Sequence, residues 1–70
     1  MRTKEFSVWQ DEDKQWYVLV RDPYRKWEAI PVSFASEALA ELAMKGMAAA
    51  LVADGGEARF FKARPKFKVA

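Results

Sequence analysis

Apolar and polar positions alternate through the first part of the chain, then switch to a helical period after residue 36. Residues 4–10 (Lys-Glu-Phe-Ser-Val-Trp-Gln) and 15–21 (Gln-Trp-Tyr-Val-Leu-Val-Arg) carry a period of two and are rich in β-branched and aromatic residues. That combination predicts two strands, joined by the acidic knot Asp11-Glu12-Asp13. Asp22-Pro23-Tyr24-Arg25 predicts a turn, because Pro23 presets the backbone angle of a turn's second position. Residues 26–34 predict a third strand, which Pro31, having no N–H to donate, marks as an edge or a bulge. Ser36 is placed to cap a helix, with Glu37 in its first turn and an Ala/Leu/Met-rich stretch to about Ala53. Asp54-Gly55-Gly56 closes it, since glycine takes the left-handed position after a helix. Residues 57–63 predict a fourth strand, Pro65 breaks it, and residues 66–69 alternate like a short fifth. The expected architecture is α+β: an antiparallel sheet with one helix packed on one face, in the order βββαββ, as one domain over residues 1–70.

Side-chain chemistry selects the registers, because a one-residue slip turns a whole strand over. A three-residue loop from Glu12 to Lys14 sets Phe6 opposite Val20 and Val8 opposite Val18, giving with Trp16 one clean apolar face. The other face then pairs Glu5 with Arg21 and Trp9 with Tyr17. A three-residue loop from Pro23 to Arg25 likewise puts Ile30, Val32 and Phe34 toward the core and Trp27 and Ala29 outward. The outer face so built carries Trp9, Tyr17, Leu19 and Trp27, rimmed by Arg21, Glu5 and Lys26, more aromatic surface than a small monomer usually exposes. It is either a contact platform or a face that the last strands or a second subunit cover.

On the helix, Glu37, Glu41 and Lys45 recur every four residues as a polar stripe. Leu39, Leu42, Ala43, Met47, Ala50 and Leu51 are expected to face the sheet, with Phe60 completing the core. Met44, Gly46, Ala48 and Val52 then lie beside that stripe, where small residues would allow a second helix to approach closely in a dimer.

Composition narrows the chemistry. Seventy residues bury about 7,000 Å² on folding, and the resulting apolar gain of about 105 kcal/mol matches the cost of ordering the chain. A chain so finely balanced is either marginal or helped by a partner. Half the residues are hydrophobic, enough to build a core. With no Cys and no His, thiol and imidazole catalysis and the usual zinc sites are excluded. Gly55-Gly56 follows a helix and lacks the Lys-Ser/Thr of a phosphate loop. Asp11-Glu12-Asp13 has Trp16 where a calcium loop needs glycine. No enzyme, metal, cofactor or small-molecule substrate is expected. The net charge of +2 hides an asymmetry: Arg59, Lys62, Arg64, Lys66 and Lys68 meet no acid after residue 57, whereas residues 1–57 carry seven bases against ten acids. The basic end can steer an anionic partner. There is no run of 18 apolar residues, and Met-Arg-Thr-Lys-Glu-Phe is unlike a signal peptide, so a cytoplasmic chain without membrane contact is expected.

Residues 16–40 resemble the N-terminal arm-binding domain of phage-type tyrosine integrases. The pattern is Trp16-Tyr17-Val18, Val20-Arg21-Asp22-Pro23, Lys26-Trp27, then Phe34-x-Ser36 opening an Ala-rich helix with Ala38 and Ala40. That resemblance implies a three-stranded sheet laid into a DNA major groove through Tyr17, Leu19, Arg21, Lys26 and Trp27. In architecture the chain is also similar to small phage-encoded anti-CRISPR proteins, which implies inhibition by protein contact.

Two functional expectations follow. The first is a small non-catalytic, phage-type binding protein that acts by protein contact, as a homodimer or as an inhibitor of a larger complex, through Trp9, Tyr17, Leu19, Arg21, Lys26 and Trp27. The second is DNA or RNA binding through the basic end and exposed aromatics.

Overall fold

The computed structural model describes residues 2–61. Strands β1 (Thr3–Gln10), β2 (Trp16–Arg21) and β3 (Glu28–Ala29) precede the helix α1 (Glu37–Ala53), and β4 (Glu57–Phe60) follows it. They form one four-stranded sheet, ordered β3-β2-β1-β4, with α1 packed on one face.

Both registers are those expected from the side chains. β1 and β2 pair Glu5 with Arg21, Phe6 with Val20, Val8 with Val18 and Trp9 with Tyr17. Asp11 N–H donates to Gln15 O at 2.9 Å, which leaves Glu12 to Lys14 as the loop, and Lys14 takes the left-handed conformation that a three-residue hairpin needs (φ 63°). The Asp11 carboxylate accepts from the N–H groups of Asp13 and Gln15, so this member of the acidic knot builds the turn. In the second hairpin Leu19 pairs with Ala29 and Val20 with Glu28, and Tyr24 is the left-handed residue (φ 66°).

Two expectations about the sheet are corrected. β3 ends after Ala29, because Val32 N–H donates to Ile30 O at 2.7 Å around Pro31. This tight turn throws Val32 out to solvent, and only the bridge of Phe34 to Trp16 restores pairing. The sheet is mixed, since β4 runs parallel to β1. α1 carries the chain from one edge of the sheet to the other, and such a crossover returns it in the direction of the strand it left, β3, which two antiparallel pairings make co-directional with β1. The later part of the expected fourth strand and the expected fifth strand fall outside the described residues.

The helix begins and ends where expected. The Ser36 side chain accepts from Leu39 N–H, and Gly55 (φ +87°) and Gly56 donate to Val52 O and Leu51 O in a double C-terminal cap. Its rotation differs. Met44, Ala48 and Leu51 are buried against Phe6 and Val18 and Ala40 is buried too, whereas Leu39 and Leu42 are exposed. The sheet supplies the bulk here, from Phe6, Trp16 and Val18, so small residues on α1 let the backbones approach. Met44 and Ala48 are therefore core residues and not dimer contacts. Phe60 is half exposed, with its ring 6.1 Å from Phe6.

Two glycines of this segment should respond oppositely to alanine. A Cβ on Gly46 would meet nothing within 4 Å, so Gly46→Ala should raise stability by about 0.5–1 kcal/mol through helix propensity. Within its own chain, Gly46 is therefore not a site of close packing. A Cβ on Gly56 would lie 2.5 Å from Leu51 Cδ1 and 2.9 Å from Arg2 O, so Gly56→Ala should cost about 1–3 kcal/mol. Urea unfolding of the two variants checks both signs.

Candidate functional site

The outer face of the sheet gathers most of the sequence-predicted binding residues but does not leave them open. Trp27 precedes β3 and Phe61 follows β4, on opposite edges roughly 14 Å apart at ~4.8 Å per strand. Their rings nevertheless meet edge to face with centroids 5.7 Å apart, so they arch across β1 and β2. Ser7 Oγ donates to Phe61 O at 3.0 Å and helps to anchor this clasp. Leu19 and Ser7, paired beneath it, are both buried. Leu19 is thereby corrected from a contact residue to a core residue of the second face.

Arg21 completes the clasp. Its guanidinium carbon lies 4.4 Å from the Trp27 ring centroid and 5.4 Å from that of Phe61. Its Nε donates to Glu5 Oε1 at 2.7 Å, and the Glu5 side chain is only 8% exposed. Arg21 is thus committed to an internal ion pair and two aromatic faces.

Trp9 and Tyr17 stack at the hairpin end, with centroids 5.8 Å apart. Tyr17 has its phenol pushed above the ordinary range, chiefly by desolvation and then by the charge and hydrogen-bond acceptance of Asp11. Lys26 lies at the opposite end of the sheet, beside a cleft of about 530 Å³ lined by Lys4, Arg21, Asp22, Arg25 and Glu28. Lys4 Nζ donates to Asp22 at 2.7 Å and holds that carboxyl below the usual carboxylate range. Arg25 and Lys26 are exposed, and neither enters an ion pair among the described residues.

A second candidate surface is the outward side of α1. Leu39, Leu42, Gly46, Ala49 and Ala53 follow one another at helical spacings of three and four, and all are exposed. Leu39 is 49% exposed, Leu42 66% and the neighbouring Val52 55%. Lys45 is the single charge on α1 between Leu42 and Ala53. Gly46 and Val52 keep the surface position expected of them. The half-buried stripe Glu37-Glu41 lies beside the core near Val8, Phe60 and Phe61, so the polar stripe does not mark the solvent side.

Of the five basic residues expected to bind nucleic acid, Arg59 is described. It is exposed and tied to Glu57 Oε1 through Nε at 3.1 Å and Nη2 at 3.0 Å. Lys62, Arg64, Lys66 and Lys68 lie outside the described residues. Among those described, no three acidic side chains converge as metal ligands would, and no helix is long and apolar enough to cross a membrane.

Sequence reasoning missed Phe61, the keystone of the clasp, and the burial of Glu5. The Glu5–Arg21 pairing was itself the available signal, since charges opposed on a face crowded with aromatics are readily covered. Compared with protein-family models, with curated proteins and with solved structures, the chain matches none.

Proposed function

We propose that the protein is a small non-catalytic binding module whose primary contact surface is the outward side of α1. The exposed ladder Leu39-Leu42-Gly46-Ala49-Ala53 carries this reading, because a monomer gains nothing by presenting leucines and small residues together on the side of a helix turned from its own core. Leucine anchors flanked by small residues suit a partner helix or a shallow apolar groove. An inhibitor that blocks a surface of a larger assembly, as the phage-type resemblance implies, would act through such a contact.

The test is capture from nuclease-treated lysate with wild-type protein and with Leu42→Glu, both checked for native circular dichroism. A protein retained by the wild type and lost with Leu42→Glu supports the reading. Equal retention by both overturns it.

The nucleic-acid reading draws on a separate observation, the exposed Arg25 and Lys26 beside the basic cleft, which enter no ion pair among the described residues. Binding of that kind would fall with salt at a log–log slope of about −0.7 to −0.9 per phosphate and would weaken with Arg25→Gln and Lys26→Gln. Leu42→Glu would leave it unchanged.

A further inference from the structure

A different surface, the outer edge of β4, carries a sharper inference. Glu57 N–H donates to Arg2 O at 2.7 Å and Phe61 N–H to Phe6 O at 2.9 Å, so the odd-numbered residues of this segment turn their backbone groups toward β1. By alternation, Ala58 and Phe60 turn theirs to the far side, where β4 pairs with no other described strand. Beside this edge runs an apolar groove of about 510 Å³, walled by Ala49, Val52 and Ala53 of α1 and by Phe60, with Lys45 at its rim. An open strand edge along a helix-walled groove is the geometry that accepts an added strand.

We propose that the added strand is β4 of a second copy, paired antiparallel about a two-fold axis to make a continuous eight-stranded sheet. Two registers place the axis on the middle residues of β4. Centred on Arg59, the pairing would set the two Arg59 side chains directly opposite each other. Centred on Ala58, it exchanges two hydrogen bonds between the Ala58 residues and sets Glu57 opposite the partner's Arg59 on both sides of the axis. Opposed charges stabilise a cross-strand pair and like charges destabilise it, so complementarity selects the register on Ala58. In that register Phe60 stands opposite the partner's Gly56, which has no side chain to obstruct the ring. The Glu57–Arg59 contact within each chain is exposed and is readily exchanged for the contact across the axis.

The chain has no cysteine, so the register can be read directly by cross-linking. Residues opposed in a hydrogen-bonded antiparallel pair have Cα atoms about 5.5 Å apart, within disulfide reach. Ala58→Cys should form a covalent dimer under mild oxidation, faster than the fully exposed control Tyr24→Cys and faster than Arg59→Cys. Arg59→Glu should weaken the dimer seen by sedimentation about tenfold, and Glu57→Lys combined with Arg59→Glu should restore it. Faster linking of Arg59→Cys than of Ala58→Cys overturns the register. A single-chain species at several hundred micromolar overturns the dimer, as does an Ala58 amide protected from hydrogen exchange in that species, which would assign the edge to another part of the chain. The groove shares Ala49 and Ala53 with the α1 ladder, but the strand pairing uses neither Leu39 nor Leu42: Leu42→Glu should leave the Ala58→Cys cross-link intact, so either proposal can fail alone.

Discussion

Truncation of Leu19 to alanine should lower the unfolding free energy by about 3 kcal/mol, within the range for a fully buried leucine. For a chain of this size that corresponds to a fall in Tm of roughly 12 °C or more. The cause is the Trp27–Phe61 clasp, which converts the outer face of the sheet into a second small core and leaves Leu19 without access to solvent. Trp27→Ala and Phe61→Ala should each destabilise as well, and the pair should be non-additive, since the two rings touch each other and share the Arg21 guanidinium. Tyr24→Ala, at a fully exposed turn position, should stay within about 0.5 kcal/mol. Thermal and urea unfolding decide the matter, and a loss below 1 kcal/mol at Leu19 would mean that the clasp does not close over it.

Arg21→Ala should cost a further separate amount of about 3 kcal/mol. Removing the guanidinium leaves the Glu5 carboxylate buried without its counter-charge, which is the expensive way to break such a pair. It also strips the Trp27 and Phe61 rings of the cation between them. Replacing both members together, Glu5→Met with Arg21→Met, should be far milder than Arg21→Ala, because no uncompensated charge remains. Arg21→Lys should fall between, since an ammonium keeps the charge but not the planar stacking. The more exposed Lys4–Asp22 pair gives the contrast, and its coupling in a double-mutant cycle should be much smaller. Equal coupling energies in the two pairs would sink the argument from burial.

The parts of this fold that were legible in the sequence are those in which one residue type answers one local demand. Odd hairpin loops followed from the pairing of Phe6 with Val20 and of Glu5 with Arg21, and both loops have the left-handed residue such turns require, at Lys14 and Tyr24. Ser36 and Gly55 marked the helix ends for equally local reasons. The rotation of α1 was harder. Alanines are compatible with either side of a helix, and the two exposed leucines look more like core material than Ala40 and Ala48 do. What decides is the volume already supplied by Phe6, Trp16 and Val18, which is a property of the packed sheet.

The direction of β4 and the burial of Leu19 were illegible for a related reason. Alternation within Glu57-Ala58-Arg59-Phe60 names two faces but not the sense in which the strand runs against β1. Leu19 is covered by residues eight and forty-two positions away, from opposite edges of the sheet. Such long-range closure leaves no mark on local periodicity, which is why the outer face read as an open aromatic platform. Among the candidate contact residues, the accessible set changed accordingly, from the aromatics of the sheet toward Leu39, Leu42 and Val52 of α1.

The parallel pairing of β4 with β1 also sets the order in which the chain can fold. Thr3 meets Glu57 and Phe6 meets Phe60 across fifty-four residues, whereas the two hairpins close over short turns. Bringing distant segments together carries a loop-closure cost before any contact rewards it, so the hairpins precede the β1–β4 ladder. Until residues 57–60 are available, β1 therefore stands as an unprotected edge, with its backbone groups on one side awaiting a strand that lies beyond α1 in the chain. A second, half-made chain offers the same edge. The protein is accordingly most exposed to misassembly before β4 docks, and chains truncated within α1 should be the aggregating species.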